Sequence, residues 1–257
     1  MGDAPTIPPG WPDTFSLIHR DSVGSTNDEA RKLAITGAKD GIVIWADTQT
    51  NGRGRRGREW ESPVGNLYFS IVLRPEKPLS EAAMISLIAA ISLSDALRAV
   101  LPDDVDLLHK WPNDILVDGA KIAGILLEAS SGGASKLVEW IVLGCGVNIV
   151  SHPKNTVYPA TDLGCYPLKP TAGDILTLFV QKFSYWRALW LEDGVAPIRS
   201  AWLHRAKGLG ERVTVRTGAR EIQGVFHDLD VDGALMLSNS DGVIERVTAG
   251  DVFFGSA

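Results

Sequence analysis

The 257-residue sequence predicts an α+β protein: a mixed sheet with helices, followed by a small β barrel. Two observations predict it. Through residue 207, segments with helical apolar spacing are interspersed with hairpin-linked strands, which is not the regular alternation of a doubly wound parallel sheet. From residue 208 on, short strands are separated by Thr217-Gly218, Asp232-Gly233 and Asp241-Gly242, as in a barrel. The expected domains are therefore 1–207 and 208–257. Hydrophobic residues at 45% and charged residues at 22% are enough for both to have cores.

Each element has a local reason. Residues 16–20 are a short apolar strand. Gly24-Ser25-Thr26-Asn27-Asp28-Glu29 opens a helix, with Thr26 and Glu29 at capping-box spacing and Gly37 as its stop. The apolar run 42–46 is a buried strand. A Gly/Arg-rich loop extends from 47 to about 60, and 66–73 is a strand. After a Pro75–Pro78 turn, 80–101 is a long helix with Ser80 as its cap. Its serines, Asp95 and Arg98 mark a core helix rather than a membrane span. Residues 105–111 and 114–117 are extended, Asp118-Gly119 is a hairpin turn, and 121–128 pairs back. A flexible tip at 130–135 precedes a strand at 137–150 and a proline-bearing loop at 152–170. Thr171, with Asp174 three residues on, opens a helix over 171–192, and another covers 196–207. The barrel strands are 212–216, 221–228, 234–237 and 244–248.

Lys and Arg total 25 against 31 Asp and Glu, a net charge of −6, which argues against a surface built for nucleic acid. Cys145 and Cys165 are too few for a disulfide framework and have no metal-site spacing, so a reducing, cytoplasmic setting is expected. Residues 1–15 carry four prolines and no signal-peptide pattern.

Three segments carry candidate chemistry. In Gln49-Thr50-Asn51-Gly52-Arg53-Gly54-Arg55-Arg56-Gly57-Arg58-Glu59-Trp60, four arginines lie among glycines. Such a loop suits an anion, although a solvated loop has the same composition. It satisfies G-x-G-x-x-G but precedes a strand, so it is not a dinucleotide fingerprint. Lys110-Trp111-Pro112-Asn113-Asp114 precedes Lys121, which starts an apolar strand. There the ammonium either has an anionic partner or lies just outside a hairpin. Gly144-Cys145-Gly146-Val147-Asn148 puts glycines inside a strand, the mark of a bulge or of close ligand approach. The five histidines form no triad or metal spacing.

Taken together with Gly24-Ser25-Thr26-Asn27 and Lys121-x-x-Gly124-Ile125-Leu126-x-Glu128, these motifs follow the order and spacing of the biotin protein ligases. The sequence resembles that family over nearly its whole length. The resemblance implies a class II synthetase-like biotin/lipoate ligase fold with an SH3-like C-terminal barrel. It implies a two-step reaction: biotin and MgATP give biotinyl-5′-AMP, and a lysine of a biotin carboxyl carrier protein then takes the biotinyl group. By the same resemblance, biotin is bound by Ser25, Thr26, Asn27, Gln49, Gly52, Arg53, Gly54, Arg55, Lys121 and Gly146. The nucleotide is bound by Trp60, Trp111, Asn113, Asp114 and Asn148. Arg55 and Lys121 are the catalytic cations, and Asp114 is a candidate magnesium ligand. ATP, magnesium and biotin arrive as substrates, with no prosthetic group.

With about 20 residues before the Gly-Ser-Thr-Asn motif, the monofunctional type without a DNA-binding domain is expected, with no specific DNA site and no membrane partner. The like charges and glycines of the arginine loop predict disorder until an anionic ligand binds. The rival of the same fold is a lipoate or octanoate ligase. The rival of another class is a nucleic-acid module working through the arginine loop.

Overall fold

The computed structural model describes residues 8–131, 137–154, 156 and 158–254. The first sheet has seven strands: β1 (Ser16–Val23), β2 (Ile42–Gln49), β3 (Leu67–Leu73), β4 (Leu107–Lys110), β5 (Asp114–Val117), β6 (Ala120–Ser131) and β7 (Val138–Val147). Their order is β1-β2-β3-β7-β6-β5-β4, with β1 and β2 parallel and every other pair antiparallel, so the sheet is mixed as expected. The mostly apolar β3, buried at all seven positions and broken only by Ser70, is covered on both faces.

On one face lie α3 (Met84–Arg98), α4 (Ala172–Asp193) and α5 (Val195–Leu203). Their apolar stripes meet the sheet through Phe69, Phe179 and Phe183, with Phe69 and Phe179 rings 4.8 Å apart. The other face carries α1 (Thr26–Ile35), which packs Ala30 and Ala34 on Ile44, Val72 and Val142. Leu79–Arg98 is long and apolar enough to cross a membrane by length and composition. Yet 67% of its most apolar 18-residue window is buried inside the protein, and Ser92 and Ser94 turn inward to bond Ile88 O and His109 Nε2.

The second sheet contains β8 (Arg212–Arg216), β9 (Glu221–Leu229), β10 (Leu235–Ser238), β11 (Ile244–Val247) and β12 (Asp251–Phe254), in the order β11-β10-β9-β8-β12 and antiparallel throughout. It agrees with the expected barrel-like unit and adds β12, which the sequence reading missed.

Local expectations divide cleanly. The Thr171–Asp174 capping box is present, with both reciprocal bonds. The expected helix 80–101 is instead a short turn, α2 (Leu79–Ala82), followed by α3, and its cap is Pro78 rather than Ser80. The Thr26–Glu29 capping box does not form: the cap is Ser25, and Thr26 bonds across to β2. The expected tip at 130–135 is β strand through Ser131 and lies outside the described residues from 132 to 135.

Candidate functional site

A cleft of about 610 Å3 opens on the α1 face of the sheet, between α1, the arginine loop and the second sheet. Its floor is bare because the register sets glycines side by side. Gly124 of β6 pairs with Gly146 of β7, and Gly144 lies two residues along. The indole of Trp60 packs onto this floor. A Cβ on Gly146 would stand 2.5 Å from Trp60 Cε2, and one on Gly144 would stand 1.9 Å from Asn27 Oδ1. The strand glycines are therefore sites of close approach rather than bulges.

One end of the cleft is a closed polar network. Gln49 Oε1 accepts from the backbone N (2.8 Å) and Oγ1 (3.1 Å) of Thr26, while Gln49 Nε2 donates to Ser62 Oγ. Ser70 Oγ lies 2.8 Å from Thr26 Oγ1 and 2.6 Å from Asn27 Oδ1, and Asn27 Nδ2 donates to Glu128 Oε2 at 2.7 Å. Each member is fixed by another, so the wall is rigid before any ligand arrives. Ser25 caps α1 with no side-chain bond, leaving its hydroxyl for the cleft.

Cations hold the centre. Lys121 Nζ lies 2.6 Å from Asp114 Oδ1 and 5.3 Å from the Trp60 ring. Arg55 Nη1 donates to Asn113 Oδ1 at 3.1 Å, and Asn113 Nδ2 donates to Ile125 O at 2.6 Å. Burial lowers the pKa of the Arg55 guanidinium, and Asp251 opposes that shift. Burial likewise lowers Lys110, whose Nζ sits 3.9 Å over the Tyr158 ring. Asn148 donates its amide to Thr161 O, and its Oδ1 has no protein partner among the described residues.

The arginine loop departs from expectation. It is folded over the cleft, with Arg53 bridged to Glu59 across a tight turn. Its charges are offset by the protein's own acids: Arg53 Nη2 meets Asp28 Oδ1 at 2.6 Å, and Arg56 and Arg58 both meet Asp251. These pairings offset part of the mutual repulsion on which the expectation of disorder rested, although Arg56 and Arg58 share one carboxylate and Arg55 bonds a neutral amide, that of Asn113.

Of the residues expected to bind, Ser25, Thr26, Asn27, Gln49, Arg53, Gly54, Arg55, Trp60, Asn113, Asp114, Lys121, Gly146 and Asn148 line this cleft. Gly52 and Trp111 do not. Gly52 lies under the loop, where a Cβ would meet Trp60 O at 2.3 Å. Trp111 is buried away from the cleft, and its Nε1 donates to Gly233 O of the second sheet's β9–β10 turn at 3.0 Å. Sequence reasoning missed the cleft-lining Tyr158, Arg216, Asp251 and Phe253. The last two lie on β12, four residues near the chain end whose spacing carries no signal. Cys145 lines the cleft, but burial pushes its thiol up, so it is not a nucleophile.

A magnesium cage does not fit here: the cleft centre offers Asp114, already paired with Lys121. Among the described residues, the one three-ligand group of metal-binding type is His19, Asp21 and Asp47, outside the cleft.

A rigid polar end, a cationic centre and a loop roof suit the capture of a small acid together with a phosphate. Residues 20–148 match the model of the biotin/lipoate A/B protein ligase family, and residues 208–255 that of the biotin protein ligase C-terminal domain. The chain belongs to the biotin/lipoate A/B protein ligase family.

Within it, the chain groups with the biotin enzymes. It is 41% identical over 240 residues to the biotin–[acetyl-CoA-carboxylase] ligase of Paracoccus denitrificans, covering 90% of this chain and 97% of that one. It is 30% identical to the bifunctional ligase/repressor of Bacillus subtilis, covering 93% of this chain and 74% of that protein. The Aquifex aeolicus biotin protein ligase, solved with biotin and ATP, superposes with a TM-score of 0.78 at 26% identity, covering 93% of this chain and 97% of that one.

Proposed function

We propose that this chain activates biotin with ATP to biotinyl-5′-AMP and transfers the biotinyl group to a lysine of a biotin carboxyl carrier protein, that of acetyl-CoA carboxylase. The observation that carries the reading is the meeting of Thr26 and Gln49 with Arg55 and Lys121 in one cleft, in a chain 41% identical to a ligase named for that reaction.

Ser25, Thr26 and Gln49 take the ureido end of biotin, where donors and acceptors are already oriented. Biotin's carboxylate and the α-phosphate are two anions that repel. Lys121 and Arg55 offset that repulsion and stabilise the pentacovalent phosphorus. Trp60 packs against the adenine side, and the free Oδ1 of Asn148 accepts from the adenine amine. Magnesium, carried on the triphosphate, neutralises phosphate charge. Folded over the cleft, the arginine loop keeps water from the mixed anhydride. In the second step the carrier's lysine nitrogen attacks the acyl carbon and AMP leaves.

Residues 1–207 serve as the catalytic domain and 208–257 as the C-terminal domain. The reading includes no sequence-specific DNA site and no membrane partner, supported by the net charge of −6 and the burial of Leu79–Arg98. A cytoplasmic setting, where ATP is abundant, accords with free Cys145 and Cys165. Incubation with ATP, biotin and a carrier domain, followed by a streptavidin blot, tests the reading. A chain that loads lipoate or octanoate instead of biotin is the rival enzyme, and one that loads none of them is not a ligase of this kind.

A further inference from the structure

The polar wall of the cleft has more contacts than its own hydrogens can serve. The chain of contacts starts at Glu128 of β6, whose Oε2 lies 2.7 Å from Asn27 Nδ2. A carboxylate only accepts, so it fixes the Asn27 amide with the nitrogen toward itself and Oδ1 toward Ser70. Ser70 Oγ therefore gives its one hydrogen to Asn27 Oδ1, at 2.6 Å. The far end is fixed as firmly. The backbone N of Thr26 donates to Gln49 Oε1 at 2.8 Å, so the oxygen of that amide faces Thr26. Between the two ends stands the Thr26 hydroxyl, 2.8 Å from Ser70 Oγ and 3.1 Å from Gln49 Oε1. Both contacts call for its single hydrogen, and it serves one of them. Thr26, Asn27 and Ser70 are buried, where two facing acceptors with no hydrogen between them are costly. Thr26 and Gln49 line the cleft, whereas Ser70 lies behind them.

Resting on the reading above, we propose that Glu128 is a positioning residue that sets substrate choice: it leaves Thr26 Oγ1 and Gln49 Oε1 as a pair of acceptors, 3.1 Å apart, for one N–H of the ligand. When that N–H arrives, Thr26 turns its hydrogen to Ser70, and every contact in the chain is served. A ureido ring carries such an N–H beside its carbonyl. The dithiolane of lipoate and the methyl end of octanoate carry none, so the wall favours biotin over the acids of the rival ligases. Arg53 Nη2, 3.7 Å from the same Glu128 oxygen, brings the arginine loop to this wall. An amide in place of the carboxylate removes the shortage. In Glu128→Gln the new amide donates to Asn27 Oδ1, Asn27 Nδ2 to Ser70, Ser70 to Thr26, and Thr26 to Gln49. The chain then runs the other way with every contact served, and a ligand N–H gains less by binding.

The test measures the constants for biotin and ATP in wild type, Glu128→Gln, Thr26→Val and the double variant. In Glu128→Gln, KM for biotin should rise about five- to tenfold, the size of one hydrogen bond, while kcat and KM for ATP stay within about twofold. Thr26→Val removes the hydroxyl through which Glu128 acts, so adding Glu128→Gln to it should raise KM for biotin no further. Urea unfolding of Glu128→Gln should be no easier than that of wild type, because the shape of the side chain is kept. An unchanged KM for biotin in Glu128→Gln would overturn the proposal. So would additive losses in the double variant, which would show that Glu128 works on the loop through Arg53 rather than on Thr26. A joint loss of kcat, ATP affinity and resistance to urea would make Glu128 a purely structural residue and likewise overturn it. A wild-type chain that forms no biotinyl-AMP overturns the ligase reading itself, an outcome distinct from these.

Discussion

The ammonium of Lys121 lies 2.6 Å from Oδ1 of Asp114, on neighbouring strands β6 and β5. The lysine is thus held at the cleft by a carboxylate that an incoming anion has to displace or share. Lys121→Ala should cut biotinyl-AMP formation about 10²–10³-fold, the usual cost of losing a preorganised charge at a reacting centre. Biotin affinity should fall much less, because Thr26 and Gln49 hold the other end. Lys121→Arg should restore little. Adenylation by Lys121→Ala at the wild-type rate would reduce this residue to a hairpin lysine.

Asp251 ties the arginine loop to the second sheet through Arg56 and Arg58. Partly exposed pairs contribute roughly 0.2–1 kcal/mol each, so losing both shifts loop opening several-fold. Asp251→Ala should be cut by trypsin at Arg56 and Arg58 roughly three to ten times faster than wild type, with biotin plus ATP slowing the cut in both. Equal cleavage of the two proteins in the absence of ligand would show that this latch does not hold the loop.

The cleft floor tolerates no side chain at Gly146. A methyl group there meets the Trp60 indole at 2.5 Å and drives it from the floor. Gly146→Ala should destabilise the fold by about 1–3 kcal/mol through overpacking and should lower ligation at least tenfold. Restoring space with Trp60→Phe in the same chain should recover part of the stability. Additive losses in the double variant would mean that the two residues do not collide.

His109 titrates in the core. Burial lowers its pKa from 6.5 to about 3, while a bond to Trp202 O opposes the shift. The unfolded chain takes up a proton below pH 6.5 and the folded chain does not until about pH 3. The stabilisation is therefore complete above pH 6.5 and is lost progressively down to about pH 3. Between pH 7 and pH 5 this one residue should account for about 2 kcal/mol of lost stability. Urea unfolding of wild type and His109→Gln at both pH values measures it, and identical slopes would refute it.

Much of the molecule was legible from its residues alone. Apolar runs set β2 and β3, the Thr171–Asp174 pair started α4, and Asp118-Gly119 turned β5 into β6, because these depend on neighbours within a few positions. Motif order also placed the polar and cationic residues in one site. What only the tertiary structure decided involves partners far apart in the chain. Asp28 and Asp251 folded an arginine loop that composition alone left disordered. Gln49 drew Thr26 out of a capping box. Gly233 turned Trp111 toward the second sheet and away from the nucleotide side. Arg216 and Phe253 reached the cleft on short strands with no motif of their own. Local sequence fixes backbone preference within a turn or a hairpin, whereas ion pairing and close packing depend on which distant segments the sheet register sets side by side.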